Sequence, residues 1–240
     1  MTLAYRGAPF HGWQTQPGAC TVQQTIEEGL STVLREPVKI VGAGRTDTGV
    51  NASKMVAHFD LDVPLQMSGP SLCRALNSIL GKDIAIYNVE EVAPDLHARF
   101  SARSRTYHYY VVTRKSPFFY PLSWQAPPSL DFEAMNRAAS LLLTTSDFTS
   151  FAKLHSDAKT NICRVTRAEW VRLTEDGWVF IITADRFLRN MVRAVVGTLV
   201  DVGRGKMTVD DFAAVIGRRD RCAAGTSMPP QALYLHDITY

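Results

Sequence analysis

The sequence predicts an α+β protein: two α/β lobes forming a mostly antiparallel sheet flanked by helices. Three observations carry this. Short apolar strand-like runs alternate with amphipathic helical segments along all 240 residues. In residues 1–92 the order is strand, helix, strand, polar loop, strand, helix, strand, the pattern of a ferredoxin-like (RRM-like) α/β sandwich. The remainder has similar content without sequence repetition, and no low-complexity linker divides the chain. Residues 1–98 are therefore expected as an N-terminal lobe and residues 99–240 as a C-terminal lobe.

Each element has a local cause. Residues 3–5 are a short apolar piece, followed by a glycine- and proline-rich loop holding Phe10, His11 and Trp13. Aromatics on such a loop serve as core plugs or as a surface for bases. A helix over 21–34 starts at Thr21, with Gln24 in capping-box position, and buries Val22, Ile26 and Leu30 at helical spacing. Residues 38–41 and 54–59 are strands entering and leaving a polar loop. Residues 71–80 form a helix after Pro70, and 84–92 a strand. The basic segment 97–105, HARFSARSR, leads into a strand at 106–113 on which Tyr107, Tyr109 and Val111 share a face. An aromatic, proline-rich connection (117–128) precedes a helix over 132–143 that Asp131 can cap. Strands at 163–173 and 178–184 flank an Asp176–Gly177 hairpin signal. A helix is predicted over 186–202, apolar on one side, with Arg186, Arg189 and Arg193 on a neighbouring stripe. A last helix over 208–216, capped by Thr208, precedes a strand over 232–240.

Composition narrows the function classes. A hydrophobic share of 46% against 20% charged residues is globular rather than disordered. No apolar run approaches the roughly 18 residues that span a membrane, and the first residues lack a signal-peptide core. The four cysteines stand far apart, without metal-ligand spacing, as expected of reduced thiols in a cytoplasmic protein without a zinc site. Net charge is only +3, but nineteen of the 26 cationic residues are arginines, whose planar fork suits phosphates and bases.

Residues 41–52, VGAGRTDTGVNA, concentrate the chemistry. If the segment is extended, positions two apart face the same way, so the Arg45 guanidinium and the Asp47 carboxylate are expected to touch. A fixed cation there would favour the ionised carboxylate. A polar turn with a surface ion pair fits the same residues. A phosphate-binding P-loop does not, because no lysine follows the glycines in the required place. Asp47–Thr48–Gly49 also spells the DTG of aspartic proteases, which need two such aspartates sharing a proton; the chain has one.

Five segments resemble one family when taken together: YRGAPFHGWQ, GRTDTGV, HARFSARSRTYHY, FLRNMVRAVVGTLVDVG and AGTSMPPQALYL. Their residues, order and spacing are similar to those of the tRNA pseudouridine synthase A family over nearly the whole chain. The resemblance implies the pseudouridine synthase fold. It implies isomerisation of uridine to pseudouridine at positions 38 to 40 of the tRNA anticodon stem-loop, without metal or organic cofactor. It also implies a homodimer in which one RNA meets both subunits. The family aspartate falls on Asp47, as catalytic residue, and the arginine before it on Arg45. The family tyrosine of the arginine-rich strand falls on Tyr107, and the arginine of the MVR helix on Arg193, all three toward substrate. The N-terminal lobe would then carry the catalytic loop and the C-terminal lobe complete the cleft. Departures are Thr48 and Asn51, where alanine and histidine are usual, Arg6 in place of aspartate, and Met228 in place of a small residue. A catalytically silent RNA-binding protein is the competing class.

Overall fold

The structure is a computed structural model that describes residues 1–153 and 159–240. It is α+β and divides into two compact units, residues 1–103 with 234–240, and residues 104–233.

The first unit begins with β1 (Thr2–Tyr5), α1 (Val22–Leu34), β2 (Val41–Gly42), β3 (Asn51–His58), α2 (Gly69–Ile79) and β4 (Ile84–Asn88). β1 lies between β3 and β4, antiparallel to both, and β2 pairs antiparallel with β3. α1 starts where its cap predicts: the Thr21 hydroxyl accepts the Gln24 N–H at 3.3 Å. The capping box is only half made, because the Gln24 side chain donates forward to Glu28 instead. The stripe Val22, Ile26 and Leu30 is fully buried with Leu72 and Leu76 of α2 and Leu3 and Met55 of the strands. Each such side chain contributes roughly 1.5–3 kcal/mol. The strand expected at 38–41 is reduced to Val41–Gly42, although Val38 and Ile40 are buried. Side-chain contacts hold residues 38–40 where a ladder was expected. Ser31 Oγ accepts the Val38 N–H and the Glu27 carboxylate accepts the Ile40 N–H.

The second unit contains β5 (Ser104–Val112), β6 (Trp124–Gln125), α3 (Phe132–Ser140), β7 (Val165–Arg172), β8 (Gly177–Ala184), α4 (Met191–Gly203) and α5 (Val209–Arg218). β8 runs between β5 and β7, antiparallel to both, and β6 adds parallel to β5. Phe148, Phe151, Phe180 and Phe212 fill the core with the apolar length of α4, and Phe132 stacks on Trp178. α5 has the complete capping box, Thr208 with Asp211.

Two expected helices are shorter than their patterns: α3 gives way to a 3₁₀ turn at Leu141–Leu143, and α4 begins late. α4 starts at Met191, so Arg186 and Arg189 precede it and only Arg193 of the expected arginine stripe is helical. Two local interactions stop the helix from extending back. Asp185 Oδ1 accepts the N–H groups of both Arg164 and Arg186, and Asn190 sits in the left-handed region at φ 65°.

The chain's last strand, β9 (Leu233–Thr239), pairs in parallel with β3 through Asn51↔Tyr234 and Ala52↔Leu235, within the first unit. Lys54 and Asp237 tie the same two strands with an ion pair of 2.5 Å.

Glu27 is the buried polar anchor of the first unit. Its side chain is 6% exposed, whereas its partner Lys39 is 83% exposed. The value of the contact therefore lies less in the ion pair than in the bonds the carboxylate accepts from Ile40 N–H and Gln23. Glu27→Ala is expected to lower stability by about 2–3 kcal/mol, read as a fall in the urea midpoint with an unchanged slope.

Candidate active site

The loop bearing Asp47 has no regular structure between Ala43 and Val50, so its shape is set by what it touches. Thr46 is buried, and its hydroxyl lies 2.8 Å from the Tyr5 hydroxyl at the end of β1. The Thr46 carbonyl accepts the Trp13 N–H at 3.2 Å. Trp13 is 2% exposed, and its own carbonyl accepts the Gln23 N–H of α1. Phe10 is buried as well, so the aromatics of the first loop are core plugs, while His11 is exposed. On the far side of Asp47, its carbonyl accepts the Val50 N–H at 3.1 Å, closing a tight turn. Asn51, 2% exposed, accepts the Gly7 N–H at 2.8 Å through Oδ1. Gly7 is needed there, since a Cβ on it would collide with the Val50 carbonyl.

Residues 45–47 keep the expected alternation: Arg45 is exposed, Thr46 buried and Asp47 half-buried. Among the described residues no ion pair joins Arg45 to Asp47. An exposed guanidinium gains little from an ion pair while giving up side-chain freedom, and here it stays in solvent.

In the second unit Tyr107 is half-buried on β5 and meets the edge of the Phe187 ring, with centroids 5.0 Å apart. Its neighbour Tyr109 is fully buried and donates to the Pro229 carbonyl, which makes it a packing residue. Burial pushes the Tyr109 phenol well above its usual range, with the Arg193 charge acting in the opposite direction. Arg193 lies in the first turn of α4 and is held twice to one residue. Its Nε donates to the Met228 carbonyl at 2.6 Å, and its own carbonyl accepts the Met228 N–H at 3.1 Å. Gly197, one turn on, lets residue 226 close in, since a Cβ would strike the Thr226 carbonyl. Asn190 bonds Ser227, and Thr198 accepts the Gly225 N–H. Residues 190–198 and 225–228 are thus bonded together around Arg193.

The segment 97–103 is held by imidazoles. His97 Nδ1 accepts the N–H groups of Arg99 and Phe100, and His58 Nδ1 accepts that of Ala98, each at 3.1 Å. The two rings meet edge to face at 4.6 Å. His108 is likewise occupied, bonding Tyr110. Of the late arginines, Arg221 bonds the carbonyls of Ala224 and Gly225, and Arg219 pairs with Asp147. Among the described residues no group of three or more His, Cys, Asp or Glu side chains is placed to hold a metal ion, and no helix is long and apolar enough to cross a membrane.

Sequence reasoning nominated Arg45, Asp47, Tyr107 and Arg193 but not their supports. Tyr5, Thr46, Asn51 and Gly7 bear on the loop only through tertiary bonds, for which local spacing carries no signal.

Known proteins are similar to this chain in sequence. A family profile described as tRNA pseudouridine synthase matches residues 138–240. The tRNA pseudouridine synthase A of Parabacteroides distasonis is 56% identical over 240 residues, covering 99% of this chain and 94% of that protein. That of Porphyromonas gingivalis is 55% identical over 239 residues, covering 99% and 95%. A more distant relative of the same name, from Limosilactobacillus fermentum, is 41% identical over 246 residues, covering 100% and 95%. Fold and sequence together define the class as that of the pseudouridine synthases, which are isomerases. Within it, the chain belongs to the tRNA pseudouridine synthase A family.

The His58 anchor sets a pH dependence. Burial first, then the neighbouring His97 and the N-terminal ammonium, lower the His58 pKa from the ordinary 6.5, with Asp60 opposing. A lowered folded pKa favours the neutral ring, so this contribution is complete above 6.5 and is lost as pH falls from there toward the folded value. Stability of the parent is expected to decline on acidification through that window. His58→Phe, which has nothing to titrate, should flatten that part of a plot of melting temperature against pH.

Proposed function

We propose that this protein isomerises uridine to pseudouridine in the anticodon stem-loop of tRNA, at positions 38 to 40, with Asp47 as the reacting carboxylate. The observation that carries the mechanism is the Asp47 loop. A half-buried carboxylate stands on a turn whose backbone is fixed on both sides, at Thr46 and at Val50–Asn51. Membership of a family whose relatives are named tRNA pseudouridine synthase A supports the substrate.

The isomerisation breaks the N1–C1′ bond, turns the uracil within the site and joins C5 to C1′. The proton on C5 is lost and N1 gains one, so atoms and charge balance without a redox partner or cofactor. Asp47 acts by attack on C1′ or C6, or by removing a ribose proton to open a glycal route. The uridine has to leave its stack, at a cost of a few kcal/mol, and an aromatic ring can replace the lost stacking. Tyr107 takes this role, with its ring braced by Phe187. Arg193, locked to Met228, contributes a fixed positive charge toward the nucleotide, and the exposed Arg45 reaches the RNA backbone. On this proposal residues 1–98 supply the carboxylate and residues 99–240 the stacking ring and the second arginine. The enzyme works in the cytoplasm as a homodimer, and the strongly exposed Phe118 and Tyr120 offer apolar surface for the pairing.

Asp47→Asn is expected to bind tRNA with parental affinity and to form no pseudouridine. Turnover near the parental level would remove Asp47 from this role. Tyr107→Phe retains the ring: undiminished turnover indicates stacking alone, and a lost turnover with intact binding indicates that the hydroxyl moves a proton. Mapping pseudouridine in tRNA from cells with and without the gene reads the target positions directly.

A further inference from the structure

We propose that Tyr5 is a positioning residue for Asp47, acting through Thr46; the proposal rests on the catalytic role given to Asp47 above. Tyr5 is a buried residue at the end of β1, and its hydroxyl meets that of Thr46 at 2.8 Å, both atoms shielded from water. Two buried hydroxyls each need a partner, so this bond fixes which way the Thr46 side chain points. With Thr46 turned inward, its neighbours are more open to solvent, Arg45 exposed and Asp47 half-buried.

Three further features make Tyr5 the member that aims rather than merely packs. The pairing of β1 with β3 shifts between Leu3, opposite Met55, and Tyr5, opposite Ala52, an irregularity of the kind that re-aims a side chain. The Tyr5 ring lies 5.9 Å from that of Trp13, whose N–H holds the Thr46 carbonyl. Tyr5 and its ring neighbour thus grip Thr46 by side chain and by backbone at once. Two residues further on, Gly7 takes hold of Asn51 beyond the turn. The end of β1 therefore brackets Asp47, and Tyr5 is the member of the bracket bonded to the residue directly before it.

The test is steady-state and single-turnover kinetics with tRNA for Tyr5→Phe, Thr46→Val, Thr46→Ser and the Tyr5→Phe/Thr46→Val double variant, beside Asp47→Asn. Tyr5→Phe keeps the ring against Trp13 and removes only the hydroxyl. It is expected to lower kcat by about 10- to 100-fold, the scale of a small misplacement of a reacting group, while KM and tRNA affinity stay at parental values. Thr46→Ser keeps the hydroxyl and should keep activity, whereas Thr46→Val should lose it. The double variant should be no worse than the weaker single, because both remove one bond. Parental kcat in Tyr5→Phe, or a raised KM with kcat intact, overturns the proposal. So does additive loss in the double variant. If Thr46→Val does not fold, Tyr5→Phe and Thr46→Ser decide alone. Turnover in Asp47→Asn is a different failure, since it removes the catalytic reading and not the bond.

Discussion

The hydroxyl-to-hydroxyl bond between Tyr5 and Thr46 is the constraint on which the shape of the Asp47 loop depends. Loops carry chemistry because they are free to present side chains, but a site needs its reacting group held to within a fraction of an ångström. Here the loop borrows order from its surroundings. The end of β1 holds it at Thr46 and, through Gly7, at Asn51. Trp13 holds the same Thr46 from the first loop and is itself bonded to α1. α1 in turn reaches the strand side of the loop, because Glu27 accepts the Ile40 N–H. The packing stripe of α1 and the loop bearing Asp47 are therefore linked through a short chain of bonds. That chain also accounts for Asn51, one of the two departures from the usual motif. At this position the fold requires an acceptor for the Gly7 N–H, and an asparagine supplies one.

The elements were legible wherever one residue type at one spacing has one cause. Thr21, Thr208 and Asp131 cap the helices they were expected to cap. The apolar stripe of α1 is fully buried, and the Asp176–Gly177 turn joins two antiparallel strands. What failed to read from sequence depended on competition between local and distant bonds. The pattern of 186–202 is helical throughout, yet Asp185 captures backbone N–H groups on both sides of the hairpin and Asn190 adopts a left-handed conformation, so the helix waits until Met191. Residues 38–40 read as strand by their apolar side chains, but Ser31 and Glu27 on α1 satisfy their backbone. Within the site, Asp47, Tyr107 and Arg193 were visible as residue types inside a motif. Their supports were not, because a tyrosine 41 residues before Thr46 has no local signature of partnership.

The two arginines of the motif set differ in a way that bears on how RNA would be held. Arg193 is half-buried at the start of a helix and tied through Nε to a carbonyl, so it begins with its direction already fixed. Arg45 is exposed and, among the described residues, not paired with Asp47. A fixed cation can give selectivity, because it favours one arrangement of a bound phosphate or base over others; a mobile one gives contact at a greater entropic cost. With a net charge of only +3, the bulk field of the protein attracts a polyanion weakly. On the proposed function, individually placed arginines would add to that weak attraction. Backbone and side-chain bonds from residues 225–228 hold α4 and its arginine in place. The same economy appears at Asp47, where the residues on either side are fixed and the carboxylate itself is left half open to solvent. At Asp47 the rigidity is built into the neighbouring residues, whereas at Arg193 it is built into the side chain and backbone of the arginine itself.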